Sequence, residues 1–379
     1  MSSQRSLRPL GHVLVVGGCG FLGHHIVSLL VESSTQVSVL DLVTNRNRFP
    51  SVSYYDGDIT SSESVSAILR QVKPQIVIHT ASPIAGKTVG GAAAFYRKVN
   101  VDGTRCLLES AGQTGFVRAF VYTSSASIVH DNRSDLINAD ERLPILDSPE
   151  QTEIYSETKG VAERLVLAAN RQYNNMLTGA IRPASMFGEG DVQMLPNILQ
   201  MYKKGQTKVQ LGQNRNLFDF TYVANTAYGH LLLAAKLLDT YEKNSKEIVL
   251  EDKDRVDGEA FNITNDHPYY FWDFSRAIWA AAGDKTKPEQ VWSIPAPFIL
   301  TVATLVEWIY WLIYWGKKQP NFTASRVRYT TITRTICIDK AKTRLGYAPI
   351  VSMEDGIERS VKWFQKEEES KGEGEKKTL

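Results

Sequence analysis

Hydrophobic positions along the chain fall into short continuous runs separated by glycines and polar segments. The run His12–Val16 is apolar from Val13 onward, which suits a strand buried on both faces. Glycines follow at 17, 18, 20 and 23, and they open a second apolar stretch, 21–31, whose spacing predicts a helix. A second strand is expected over 36–40, ending at Asp41. Residues 118–127 form an apolar strand pattern that finishes in hydroxyls, and 177–181 another that leads into a loop at 182–188. The longest apolar stretch is 298–315, eighteen residues with a single charge, Glu307.

Two local patterns carry chemistry. Gly17-Gly-Cys-Gly20-Phe-Leu-Gly23 joins a strand to a helix, so a dinucleotide pyrophosphate could rest on that helix N-terminus. Glycines also serve any tight strand-to-helix turn, and what strengthens the cofactor reading is Asp41. It lies eighteen residues beyond Gly23, near the spacing of an acid that accepts the ribose hydroxyls and repels a 2′-phosphate. Asp41 therefore favours NAD, while Arg46 and Arg48 keep NADP open. Tyr155 and Lys159 are four residues apart and share one helix face, where a phenol and the ammonium that acidifies it would stand. That pair is common by chance. Here it follows the hydroxyl-tipped strand at 118–127, and strand C-terminal ends are where open α/β sheets place ligands.

In this order the motifs resemble the extended short-chain dehydrogenase/reductase superfamily, and within it the 3β-hydroxysteroid dehydrogenase family. They are GGCGFLG at 17–23, DGDIT at 56–60, HTAS at 79–82, VNVDGT at 99–104, VYTSSAS at 121–127, YSETK at 155–159, IRPASMFGEGD at 181–191 and LGYAPIVSMEDGI at 345–357. Within the family the chain looks most like the sterol 4α-carboxylate 3-dehydrogenases (decarboxylating). The resemblance implies an α/β fold, a Rossmann-type doubly wound parallel sheet with a smaller C-terminal substrate lobe. Residues 1–190 would be the dinucleotide-binding core, 191–365 the interleaved lobe, and 366–379 a disordered charged tail. It makes Tyr155 the acid/base, Lys159 its partner and Ser125 the substrate-orienting hydroxyl, with Ser124 as the fallback. Cofactor contacts would come from Gly17, Gly20, Phe21, Leu22, Gly23, Asp41, Asp58, Ile59, Thr80, Ala81, Ser82, Asn100, Tyr155, Lys159, Pro183 and Ser185. The expected activity is oxidation of a sterol 3β-hydroxyl by NAD, or NADP, with loss of a 4α-carboxylate. The alternatives are a hydroxysteroid or triterpenoid dehydrogenase or isomerase without decarboxylation, and a nucleotide-binding scaffold without turnover.

Composition narrows the partners. The net charge is +2 over 379 residues, with no basic helix, which argues against a nucleic-acid binder. Three scattered cysteines, Cys19, Cys106 and Cys337, fit a reducing compartment rather than a disulfide framework. The seven histidines show no metal-binding spacing, so no metal site is expected. Residues 1–10 are polar and lead straight into the first strand, leaving no room for a cleavable signal peptide. Segment 298–315, rich in Trp and Tyr and followed by Lys317 and Lys318, suits a helix lodged in a membrane interface. A span, a buried lobe helix and a dimer surface are its alternatives. The last residues, Lys376-Lys-Thr-Leu379, resemble a dilysine endoplasmic-reticulum retrieval signal or are two lysines of a charged tail. The expected location is the cytosolic face of the endoplasmic reticulum, with a homodimer or an assembly of sterol-synthesising enzymes as partners.

Overall fold

The computed structural model describes residues 9–85, 92–248, 250, 251, 254–315, 318, 320 and 322–376. Seven strands build the central sheet: β1 (His12–Val16), β2 (Gln36–Asp41), β3 (Ser53–Asp56), β4 (Ile76–His79), β5 (Ala119–Thr123), β6 (Leu177–Pro183) and β7 (Glu259–Ile263). Their order is 7-6-5-4-1-2-3, and every neighbouring pair is parallel. Alternation along each strand feeds two cores. Val13, Val15, Val39 and Val121 pack on α1 (Phe21–Glu32), with Leu231 and Leu237 from a helix introduced below. Leu14, Val16, Leu40 and Phe120 face the other way, onto α2 (Ser62–Val72), α3 (Thr104–Thr114) and α4 (Ile154–Ala168). The helix α5 (Val223–Asn244) completes the first layer. The strand order reverses between β1 and β4, so a crevice opens beyond their C-terminal ends.

The glycine turn is sterically obligatory. Gly17 has φ +83°, and a Cβ there would sit 2.7 Å from the Ala81 nitrogen; a Cβ on Gly23 would sit 2.1 Å from the Gly17 carbonyl oxygen. Only glycine lets α1 start this close to β1 and β4.

The second unit has its own aromatic core, with Phe220 stacked on Phe274 at 3.7 Å and Trp279 buried beside Ile198 and Leu199. A four-stranded sheet lies across it, in the order Tyr269–Tyr270, Leu217–Phe218, Arg334–Ile336, Leu136–Ala139. Ala303 is the one fully buried residue of helix α6 (Ala296–Tyr314), with Ile299 and Leu300 partly buried beside it and most of the rest exposed, and α7 (Met353–Lys376) is the last described helix.

Two expectations change. Residues 182–188 are not an open loop: β6 runs on to Pro183, and Ser185–Phe187 pairs with Phe220–Tyr222. Arg182 is buried there against Glu163 of α4, with N–O contacts of 2.5 and 3.0 Å. Much of the charged tail is helical rather than disordered, because α7 continues to Lys376, and Glu and Lys are good helix formers. Lys317 and residues 377–379 of the dilysine pattern lie outside the described residues.

Removing one member of a buried ion pair strands the other's charge. Glu163→Gln is therefore expected to lower unfolding free energy by about 3 kcal/mol in urea titration. Adding Arg182→Met should recover a good part of that loss. A single-variant loss below about 0.5 kcal/mol would remove this pair from the account of stability.

Candidate active site

The C-terminal ends of β1, β2, β4, β5 and β6 open into one cleft of about 1040 Å³, roofed by the segment 325–334 of the second unit. At one end is the glycine turn. The first turn of α1 carries no acidic side chain and Gly20 supplies no side-chain cap, so its amide groups are left for an anion. Asp41, at the end of β2, accepts the Cys19 backbone N–H at 3.0 Å and that of Leu42 at 2.8 Å, which fixes its carboxylate at the cleft edge. Arg46 lines the cleft nearby, whereas Arg48 stacks on the Tyr54 ring at 4.6 Å. Cys19 is a buried thiol, raised to about 11 chiefly by burial and then by Asp41.

At the other end α4 presents Tyr155 from its first turn and Lys159 from the next. The Tyr155 ring meets Tyr96 edge-on at 6.2 Å, and Tyr96 is itself held by its hydroxyl donating to the Ile84 carbonyl. Lys159 is 2% exposed; its ammonium donates to the Thr123 carbonyl at the end of β5 and lies 4.4 Å from the centre of the Tyr122 ring. Two buried histidines stand near it. His230 donates from Nδ1 to the Thr226 carbonyl and so accepts the Thr123 hydroxyl at Nε2, each at 2.8 Å. Burial pushes His230 down to about 4 and His79 down to about 3, with Lys159 adding to both.

The electrostatics differ from the sequence expectation. The Tyr155 phenol is pushed up to about 12 by burial and then by Tyr96, not acidified. Lys159 is itself brought down to about 7 by burial, against the pull of Glu163 one turn further along. Lys159 is turned to the Thr123 carbonyl, and its charge is the more strained of the two. The sharper consequence is that α4 carries an amine able to exchange a proton near neutral pH one turn from the phenol.

Ser125 and Ser124 separate clearly. Ser125 caps the turn Ala126–Val129, accepting the Ser127 N–H at 3.2 Å, and shares a hydroxyl contact with Ser127 at 2.8 Å; Ser156 donates to Ser127 at 2.7 Å. Ser124 is 1% exposed and its hydroxyl finds no partner among the described residues. Ser125 is the more reachable of the two.

Most of the expected cofactor contacts lie on the cleft wall: Gly17, Gly20, Phe21, Leu22, Gly23, Asp58, Ile59, Thr80, Ala81, Ser82, Pro183 and Ser185. Asn100 does not. It is buried behind Ser82, accepting that hydroxyl at 2.9 Å and donating to Thr158 at 3.0 Å, so it pins α4 to the cleft wall. Ser185 is bound to Tyr329 at 2.8 Å, which joins it to the second unit as well as to the cofactor side. Sequence reasoning missed Ser325, Tyr329, Ile332 and Arg334, which line the cleft from far along the chain. No periodicity or spacing relates them to Tyr155. Among the described residues no cluster of His, Cys, Asp or Glu could hold a metal ion.

The site fits a dinucleotide: a cradle that a Cβ would fill, free helix amides and a fixed acid. A family model, 3-beta hydroxysteroid dehydrogenase/isomerase, matches residues 14–296. A sterol-4-alpha-carboxylate 3-dehydrogenase, decarboxylating, of Schizosaccharomyces pombe is 40% identical over 365 residues, covering 95% of this chain and 99% of that protein. The protein of that name in Homo sapiens is 35% identical over 355 residues, covering 93% and 87%. Among solved structures, a UDP-glucose 4-epimerase of Thermus thermophilus in complex with NAD superposes with TM-score 0.67 at 20% identity, covering 93% of this chain and 99% of that one, a likeness of fold. With a matching model over most of its length and these relatives at both ends, the chain belongs to the 3-beta hydroxysteroid dehydrogenase/isomerase family.

Proposed function

We propose that this chain oxidises the 3β-hydroxyl of a sterol 4α-carboxylate and releases the carboxylate as carbon dioxide, with NAD as the oxidant. The observation that carries this is the convergence of Tyr155, Lys159 and Ser125 with the glycine turn and Asp41 in one cleft. The names of relatives that match along nearly the whole chain supply the substrate class. Gly17, Gly20, Gly23 and the α1 amides would hold the pyrophosphate, and Asp41 the adenosine ribose. Bound at this end, NAD would supply the hydride acceptor for C3, a ring that is positive on arrival and neutral once reduced.

Ser125 and Tyr155 would hold the hydroxyl between them. Tyr155, as the phenolate, accepts its proton as the ketone forms, and a phenol near 12 needs positive charge beside it to ionise. Lys159 supplies that charge when protonated and, with its value near 7, can pass a proton on. The ketone leaves the 4α-carboxylate as a β-keto acid. Its C–C bond breaks with the electron pair moving into an enolate, whose oxygen Tyr155 and Ser125 can hydrogen-bond.

The substrate is apolar, and α6 offers a route to a bilayer. It is the one described helix long and apolar enough to cross a membrane, nineteen residues with mean hydropathy 1.7. Trp308, Trp311 and Trp315 are 68%, 56% and 79% exposed, which a sealed core helix would not show. Its only charge turns inward: Glu307 accepts the Ala324 backbone N–H at 3.1 Å, capping Ala324–Tyr329. That short helix lies along α6 and carries Ser325 and Tyr329 into the cleft. A spanning α6 would draw this cleft wall into the hydrocarbon, so a helix lying in the interface is favoured, on the cytosolic face of the endoplasmic reticulum.

Purified protein given NAD and a 4α-carboxysterol should yield a product that has lost two hydrogens and carbon dioxide by mass spectrometry. Tyr155→Phe should abolish it while NAD binding stays within a few-fold. Loss of two hydrogens alone would move the chain to plain hydroxysteroid oxidation, and turnover retained in Tyr155→Phe would remove Tyr155 from its role. In lysates the protein should float with membranes, resist high salt and be released by detergent. Replacing Trp308, Trp311 and Trp315 with Ser should shift it to the soluble fraction. Wild type that is soluble without detergent would contradict the membrane contact.

A further inference from the structure

A second apolar surface stands beside α6, and it carries cations. Strands Val209–Leu211 and Trp292–Ile294 pair as a parallel ribbon, with Trp292 opposite Val209 and Ile294 opposite Leu211. The residues between them form the anchored face, where Gln210 donates to the Ser293 hydroxyl at 2.8 Å and accepts Arg276 at 2.8 Å. Alternation therefore turns Val209, Leu211, Trp292 and Ile294 the other way. At the near end of that face Leu211 packs with Ile299, Leu300 and Ala303 of α6, and only Pro295 separates Ile294 from the helix. The far end is bare, with Trp292 78% and Val209 41% exposed. One exposed tryptophan by itself is ordinary on a protein surface. This one continues the apolar surface of α6.

Lysines stand around the bare end. The Trp292 N–H donates to the Lys208 carbonyl at 2.8 Å, which places Lys208 beside the start of the tryptophan's strand. The Thr207 and Thr286 hydroxyls meet at 3.0 Å, bringing the loop with Lys285 and Lys287 against Lys208. All three lysines are exposed. The carboxylates of the same loop are Asp284, which accepts the Thr286 hydroxyl at 2.9 Å, and Glu289. The other end of α6 repeats the combination, with Lys318 lying 5.0 Å from the Tyr314 ring centre and Trp315 79% exposed. Aromatic rings sit well at the headgroup level of a bilayer, and lysines beside them are drawn to anionic headgroups. On a helix lying in the interface, both ends meet the same leaflet.

We propose that the ribbon face of Trp292 and Val209, with Lys208, Lys285 and Lys287, is a headgroup site for anionic phospholipid, a second membrane contact that rests on the interfacial placement of α6 proposed above. The indole enters the headgroup layer and the lysines hold lipid phosphates and carboxylates. A helix alone leaves the protein free to roll about the helix axis, and a contact on the ribbon stops that rotation. The short helix Ala324–Tyr329 packs in the same cluster as Leu211, so the roll angle decides how the cleft wall carrying Ser325 and Tyr329 faces the bilayer.

The test is flotation of the purified full chain with vesicles of phosphatidylcholine alone and of phosphatidylcholine mixed with phosphatidylserine, after removal of detergent. Wild type should bind the anionic vesicles about ten- to a hundredfold more tightly at low salt, the range expected for two or three lysines at such a surface. High salt should erase this preference and leave the binding to neutral vesicles. Lys208→Gln, Lys285→Gln and Lys287→Gln together should abolish the preference, while Trp292→Ser should weaken binding to both kinds of vesicle several-fold. Activity on a detergent-dispersed sterol should stay unchanged in each variant, which shows that it is folded. Equal binding of wild type to both vesicles, or an undiminished preference in the triple lysine variant, overturns the headgroup site and leaves the membrane contact of α6 standing. Lysine-dependent flotation with cell membranes but no preference among pure vesicles also overturns it, giving the ribbon an acidic protein as its occupant. Failure of wild type to bind vesicles of either composition overturns both contacts.

Discussion

A lysine sealed against the end of a strand organises this site. Lys159 donates to the Thr123 carbonyl, and that one contact fixes the distance of α4 from the sheet and therefore where Tyr155 stands over the cleft. Burying an ammonium is unfavourable, and the protein lessens the cost by position rather than by direct pairing. Glu163 stands one turn along the same helix, and its own charge is met by Arg182 at the end of β6. Phenol, ammonium, carboxylate and guanidinium thus run from the cleft into the sheet. Asn100 and Thr158 hold the opposite flank of α4.

The second unit contributes by folding back over this arrangement. The strand Arg334–Ile336 lies between Leu136–Ala139 and Leu217–Phe218, so chain segments remote in sequence meet above Ser125. Ala324–Tyr329 leans on α6 and faces the cleft, which links the apolar outer surface to the reacting end through one short helix. The hydroxyls of Ser185 and Tyr329, bonded to each other, line the cleft on that side.

Much of the cofactor end was legible because its constraints are local. The turn from β1 to α1 needs glycines for close packing, and the acid closing β2 follows at a near-fixed interval, so Gly17, Gly23 and Asp41 could be found by spacing. Tyr155 and Lys159 shared a helix face as expected, but spacing could not show which way the ammonium would turn or that burial would raise the phenol. Arg182 read as a loop residue because nothing in its neighbourhood names Glu163, nineteen positions earlier, as its partner. Glu307 looked out of place in an apolar helix until the Ala324 amide supplied its partner. Arg334 was invisible for the same reason: its place in the cleft depends on a strand pairing that joins distant segments.

The proposed chemistry of the site turns on the electrostatic state of Lys159, which NMR of protein labelled with 13C-lysine reports directly through the Lys159 side-chain shift. It should titrate with a midpoint near 7, and lower still in Glu163→Gln, since Glu163 supports the charged form. A midpoint near the ordinary lysine value of about 10.4 would contradict the buried placement of this amine and the role derived from it.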